Sequence, residues 1–131
     1  MLQQISTASR EERWNDNNVD LNTQKLRVVT TACIHYINVS DIIRIQSISN
    51  YSKLVLKNGK TVTVAKALAH FDEELAGSHF SRIHRTHLVN LYYLKNYLRG
   101  DMNRVSLSNN EVLPVSRRKN KMLQEKMKFF C

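Results

Sequence analysis

Short runs of β-branched and aliphatic residues, broken at close intervals by polar turns, are what most narrows the folds open to this chain. LRVVTT (26–31), CIHYINV (33–39), IIRIQSI (42–48), YSKLVLKN (51–58) and KTVTVA (60–65) occupy the first half. HFSRIH (79–84), THLVN (86–90), LKNYLR (94–99), RVSLS (104–108) and EVLPV (111–115) follow in the second. Each has the length and residue preference of a strand, so the fold is expected to be mainly β. In KLVLKNGKTVTV the dipeptide Asn58-Gly59 divides two alternating runs, which predicts a hairpin closed by a type I′ turn. Asn109-Asn110 marks a second hairpin, and Pro114, which lacks an amide donor, puts the last strand at a sheet edge.

Two segments depart from this texture. KALAHFDEELAG (66–77) spaces Leu68, Phe71 and Leu75 along one face of a short helix, with Gly77 placed to end it. The chain closes on SRRKNKMLQEKMKFF, a basic helix with Leu123, Met127 and Phe130 at i, i+4 and i+7. Residues 1–24 are rich in Gln, Asn, Ser and Thr and lack apolar periodicity, which predicts a tail or interdomain linker before a single domain over 25–131. No apolar run approaches the roughly 20 residues needed to span a bilayer. The first residues also lack the basic start and apolar stretch of a secretory signal, so no membrane partner and a cytoplasmic location are expected. Cys33 and Cys131 have no metal-type spacing and are read as ordinary reduced thiols.

The formal net charge is +9, and its distribution carries more than its size. Residues 1–81 hold 9 Lys and Arg against 8 Asp and Glu, whereas residues 82–131 hold 11 against 3. An excess gathered into the last part of a small domain is the footprint of a polyanionic partner, nucleic acid first.

Within that basic part, Ser116 is a suitable helix N-cap, but Arg117, Arg118 and Lys119 put three cations at the positive end of the helix dipole. Helix stability would favour acids there. Free amide groups and cations together make a phosphate site, and the bland alternative is a solvated basic turn. A second constellation is Arg82-Ile83-His84-Arg85-Thr86-His87, followed by Leu88-Val89-Asn90. In an extended segment Ile83 turns to the core while Arg82 and His84 share the other face, with Arg85 to His87 near a connection. Arg, His and Asn suit contacts to base edges. A metal site of His84 and His87 is not expected: their odd separation points them to opposite faces of a strand, and no carboxylate or cysteine accompanies them. The third is the polar loop Ser47-Ile48-Ser49-Asn50-Tyr51-Ser52-Lys53. There Asn50 could read adenine and Tyr51 could reach phosphate, although such a loop is more often only a connector.

No glycine-rich phosphate loop, G-x-S-x-G elbow or H-E-x-x-H occurs, and the chain has only 3 glycines. Neither an enzymatic function nor a cofactor is expected. Tyr92, Tyr93 and Tyr97 lie near basic residues and keep open an alternative, an RNA-binding or single-strand-binding β module whose aromatics stack on bases.

Three stretches in order, VSDIIRIQSISNYSKLVLKNGKTVTV, FSRIHRTHLVNLYYLKNY and VSLSNNEVLPVSRRK, resemble the LytTR DNA-binding domain, the output module of many bacterial response regulators. The resemblance runs over about residues 25–126. Its middle stretch has the family's aromatic, Arg-x-His, Ser or Thr and Val-Asn order, and its end has Pro-Val-Ser-Arg-Arg. The resemblance implies short antiparallel strands in stacked small sheets, with no recognition helix. It also implies sequence-specific binding of double-stranded DNA, with loops and helix ends entering successive major grooves on one side of the duplex. Direct repeats about one helical turn apart would then suit two copies side by side, a homodimer on the DNA. By motif position, the loop before the hairpin supplies Asn50 and Tyr51, the middle motif Arg85 with His84 beside it, and the last motif Arg117. Residues 1–24 cannot hold the receiver domain that precedes this module in response regulators. The chain is therefore expected to be either a C-terminal piece, with receiver and sensor kinase elsewhere, or a stand-alone regulator.

Overall fold

A computed structural model describes residues 24–130. The tail or linker expected over 1–24 therefore lies outside the described residues except for Gln24, and Cys131 lies outside them too. Ten strands and two α-helices form three antiparallel sheets. Strands β1 (Lys25–Val29) and β2 (Ile34–Asn38) pair in a two-stranded sheet. The central sheet contains β3 (Ile42–Ile48), β4 (Tyr51–Leu56), β5 (Thr61–Val64), β6 (Phe80–His84) and β7 (His87–Asn90) in the order β5-β4-β3-β7-β6. Strands β8 (Leu94–Leu98), β9 (Arg104–Leu107) and β10 (Val112–Pro114) make the third, in the order β10-β9-β8. Helix α1 (Leu68–Glu74) links β5 to β6, and α2 (Arg117–Phe130) ends the described chain. The mainly β reading of the sequence, with stacked small sheets, one short internal helix and a C-terminal helix, holds.

Alternation along the central strands gives that sheet two apolar faces, each with its own cover. On one face, Ile42, Ile45, Leu54, Val64, Phe80 and Leu88 pack with Leu26, Val28 and Ile37 of the two-stranded sheet, with Leu68 and Phe71 of α1 and with Leu75 that caps it. On the other, Ile43, Ile83 and Val89 pack with Val105, Leu107 and Leu113 of the third sheet and with Leu123 of α2. Ile42 and Ile45 are an odd number of residues apart yet share a face, because a register shift between Ile42 and Arg44 resets the parity of β3. Such a bulge leaves no mark in the hydrophobic pattern.

Both Asn-marked hairpins are present, but the first does not close with the type I′ turn expected at Asn58-Gly59. Asn58 keeps a negative φ and only Gly59 turns positive, at 87°. The Gly59 amide donates to the Leu56 carbonyl and the Leu56 amide to the Lys60 carbonyl, both at 2.9 Å. This is a type I turn followed by a left-handed residue, the usual three-residue hairpin loop. The Asn58 side chain explains the preference, since its Oδ1 accepts from the Lys60 amide at 2.9 Å and holds the turn from within. Leu107 to Glu111 repeats the device: Asn110 takes φ 72° in glycine's place, and Asn109 Oδ1 accepts from the Glu111 amide at 3.1 Å. Pro114 falls on β10, an edge strand of its sheet as predicted.

Helix α2 lies along the outer edge of β6 in the opposite direction. Its entry residue Ser116 donates its amide to the Ile83 carbonyl at 2.9 Å, and Lys126 Nζ donates to the Phe80 carbonyl at 2.6 Å. Burial lowers the Lys126 ammonium pKa from its ordinary value, with Asp72 opposing that shift. Leu123 is fully buried and Met127 packs beside it as their spacing predicted, whereas the Phe130 side chain lies outside the described ones. Among the described residues, no helix is long and apolar enough to cross a membrane.

Candidate nucleic-acid interface

The antiparallel order of the central sheet decides which connections share an end. Strand β3 pairs with both β4 and β7, so the β3–β4 turn at Ser49-Asn50 and the β6–β7 turn at Arg85-Thr86 emerge on the same side. A hydrogen bond from the Ser47 amide to the Thr86 carbonyl, 2.9 Å, ties the two neighbourhoods together. The Ser116–Ile83 bond then brings the start of α2 to this same end. Three stretches distant in sequence thus meet at one end of the domain.

Between the β6–β7 turn and α2 lies a cleft of about 610 Å³ lined by Arg82, His84, Arg85, Ser116, Arg117, Arg118 and Lys119. Five of the seven carry permanent positive charge and none is acidic. Arg85, Arg117 and Arg118 are exposed, while Arg82, His84, Ser116 and Lys119 are half-buried. Ser116 caps α2 as predicted, its Oγ accepting from the Lys119 amide at 3.3 Å. The first turn of α2 holds no acid, so nothing local offsets the cations set against the helix dipole. This is an arrangement suited to an anion, since the start of a helix and four guanidinium groups border the same volume.

Of the seven residues singled out in the sequence, the structure brings His84, Arg85, Arg117, Arg118 and Lys119 into this cleft. Asn50 and Tyr51 do not line it. They sit exposed on the neighbouring turn, where Ser49 takes φ 57°, an uncommon conformation for a residue other than glycine. Tyr51 instead borders a second hollow of about 490 Å³ with Val29, Thr30, Thr31, Thr63, Val64 and Ala65.

Arg82 was noted in the sequence only as a neighbour, and the structure gives it a central place. Its Nε donates to the His84 carbonyl at 3.2 Å and its Nη2 to the Arg85 carbonyl, while Nη1 reaches Asp72 Oδ2 of α1 at 3.5 Å. One guanidinium therefore braces the turn that carries Arg85 and also adds charge to the cleft. Alternation had placed Arg82 on the His84 face, but its hold on two backbone carbonyls depends on how the turn folds back.

His84 and His87 require a correction. They were expected on opposite faces of one strand, yet they are cross-strand partners flanking the turn, with ring centroids 5.6 Å apart. The parity rule fails because the chain reverses between them. No group of three or more residues that could hold a metal ion occurs among the described residues. His87 is buried, as is Asn90, whose amide holds the Ile42 carbonyl at 3.0 Å and whose oxygen accepts from the Tyr92 amide at 3.1 Å. These two are structural and not available to base edges. Tyr93 and Tyr97 pack against the second core and the Tyr93 hydroxyl binds the Ser40 carbonyl at 2.5 Å, which leaves Tyr92 as the exposed ring of the three.

Burial lowers the His87 imidazole to about 4, with Arg44 and His84 adding to the depression and Glu111 opposing it. The folded state resists a proton that the unfolded chain accepts near 6.5, so this stabilisation is complete above 6.5 and is lost as pH falls through about 4. In His87→Leu, the decline of Tm between those two values should be shallower than in the parent, as thermal melts across the range would measure.

These features define a β domain with a cationic cleft at one end. The family model described as the LytTr DNA-binding domain matches residues 32–128. The chain belongs to the LytTR DNA-binding domain family, and DNA binding is the activity that membership carries. Among solved structures it is similar to the LytTr DNA-binding domain of a protein assigned as a methyl-accepting/DNA response regulator from Bacillus cereus. The TM-score is 0.69 at 20% identity, covering 79% of this chain and 96% of that one. No curated protein matches the chain.

Proposed function

We propose that this domain is a sequence-specific reader of double-stranded DNA that regulates transcription, with no catalytic role. The observation that carries the reading is the cleft at the β6–β7 turn and the start of α2, where five permanent cations converge with no acid among them. Arg85 and Arg117 are assigned to base edges, Arg118 and Lys119 to phosphate, and His84 to the wall between them. Asn50 and Tyr51, on the adjacent turn at the same end, provide a third contact. The three points lie on connections and a helix start, so major-groove contact is made without a recognition helix. Repeated sites about one helical turn apart would accept two copies side by side, in the cytoplasm of a bacterium. Control by a receiver domain and its sensor kinase fits the family's use of this module.

A single-strand reader needs several open aromatic rings on one sheet face, and the packing of half-buried Tyr93 and Tyr97 against the second core removes two of the three candidates.

Selection of bound duplexes from a random pool, followed by gel shifts against single-stranded competitor, tests this reading. Arg85→Ala and Arg117→Ala should each lose about 1–3 kcal/mol on the selected sequence and relax specificity at one position. Lys119→Ala should weaken all sequences alike and lower the salt slope by about one. Unchanged affinity in both arginine variants would refute the assignment of contacts.

A further inference from the structure

The β6–β7 turn fixes more than the position of His84. His84 Nδ1 accepts the Thr86 backbone amide at 3.2 Å and lies 2.9 Å from Thr86 Oγ1. A backbone amide can only donate, so Nδ1 in this geometry is an unprotonated acceptor. The one proton of a neutral imidazole then sits on Nε2. The ring lines the basic cleft, and on its other side it faces the buried His87. Arg82 holds the carbonyls of His84 and Arg85, two successive peptides of the turn, so the ring's backbone is fixed as well as its tautomer.

We infer that Thr86 is the positioning residue of the reading turn: it locks His84 as the Nε2–H tautomer, so that the imidazole offers the cleft one hydrogen-bond donor and selects an acceptor on the DNA. This inference rests on the DNA-reading function proposed above and specifies its chemistry. The acceptor belongs either to a base edge, such as purine N7, or to a phosphate oxygen, and donors such as the amino groups of adenine and cytosine are refused. The preference is set before DNA arrives, and it needs no net charge on the ring.

The test has one arm in the free protein and one on DNA. At about pH 8, where an ordinary imidazole is neutral, nitrogen NMR of the intact chain should show the His84 proton on Nε2. On the selected duplex, His84→Asn keeps an acceptor facing Thr86 but is too short to present the donor, and should lose about fivefold to tenfold in affinity. His84→Gln returns a donor near the Nε2 position and should recover part of that loss. Thr86→Val removes the hydroxyl but keeps the amide, and should weaken specific binding by a smaller factor without altering the salt slope. A 7-deazapurine that abolishes the difference between parent and His84→Asn identifies a base-edge acceptor. A single methylphosphonate that does so identifies a phosphate.

An Nδ1-protonated ring, equal affinity of parent and His84→Asn, or failure of both DNA substitutions to close the gap would overturn the inference while leaving sequence-specific binding intact. If the random pool instead yields no preferred sequence, the function reading falls, and with it the selection of an acceptor. The tautomer measured in the free protein would still stand as a property of the turn.

Discussion

Leu123→Ala is expected to cost about 3 kcal/mol of stability, within the usual range for emptying a fully buried leucine site. Leu123 is 0% exposed and packs among Ile83, Val89, Val105 and Leu113, so the missing atoms leave a cavity between α2, the central sheet and the third sheet. The loss should not be uniform. Helix α2 is held at Ser116 and Lys126 by bonds to β6 carbonyls, and Leu123 is its main apolar anchor between them. Amide exchange should therefore accelerate along α2 before the β3–β4 pairing responds, and DNA affinity should fall by more than the global stability change implies. Chemical denaturation gives the first quantity and exchange the second. Uniform exchange across all elements would show that α2 is not a separable unit.

Glu111→Ala is the second large effect, and its cause is electrostatic. The carboxylate of Glu111, on the turn between β9 and β10, receives Arg44 Nε at 2.8 Å and Arg44 Nη2 at 2.9 Å, a bidentate pair from β3. Gln46 accepts the remaining Arg44 contact at 2.7 Å, and Asn109 adds a bond to the carboxylate at 2.8 Å. Arg44 is 7% exposed, so removing its partner leaves a guanidinium charge with little access to water. Breaking such a pair costs more than the pair contributes when intact. Because the Glu111 side chain is 35% exposed, the effect is set below the fully buried range, at about 2–3 kcal/mol.

The Arg44 hydrogen bonds hold the Glu111 carboxyl at about 2, down from 4.5. A depressed carboxylate stabilises the fold fully above 4.5, and this contribution disappears as pH falls through about 2. Glu111→Ala should therefore flatten the acid limb below the range in which His87 acts. The double change Arg44→Met with Glu111→Leu removes the charge problem altogether and should recover much of the loss. Recovery would locate the penalty in the orphaned cation; no recovery would locate it in the shape of the β9–β10 turn.

The strands were legible because alternation and residue preference agree locally. Asn58-Gly59 and Asn109-Asn110 mark both hairpins for the same reason, although the turn at Asn58-Gly59 is type I and not the expected type I′. Type I′ and type I with a left-handed third residue both favour Asn and Gly, and the difference lies in which residue turns positive. The cationic start of α2 was legible as a conflict between Ser116 and the charges after it, a conflict that local stability would avoid. What escaped were facts created by chain reversal and by pairing across long separations. His84 meets His87 only because a turn intervenes, Arg82 finds two carbonyls only once that turn closes, and Arg44 finds Glu111 across 67 residues of sequence. The bulge that resets parity in β3 and the register shift in β6 belong to the same class, since they depend on the partner strand.

Asn50, Tyr51, Arg85, Arg117 and Arg118 are exposed and belong to neither apolar cluster. The sandwich is thus indifferent to which side chains occupy these positions, provided that Arg82, Thr86 and Ser116 keep the backbone beneath them in place. A lineage of such domains could exchange its vocabulary one connection at a time and remain folded throughout. On the proposed reading, grafting another family member's β3–β4 turn onto this scaffold should alter which duplex is chosen while leaving the melting behaviour almost untouched.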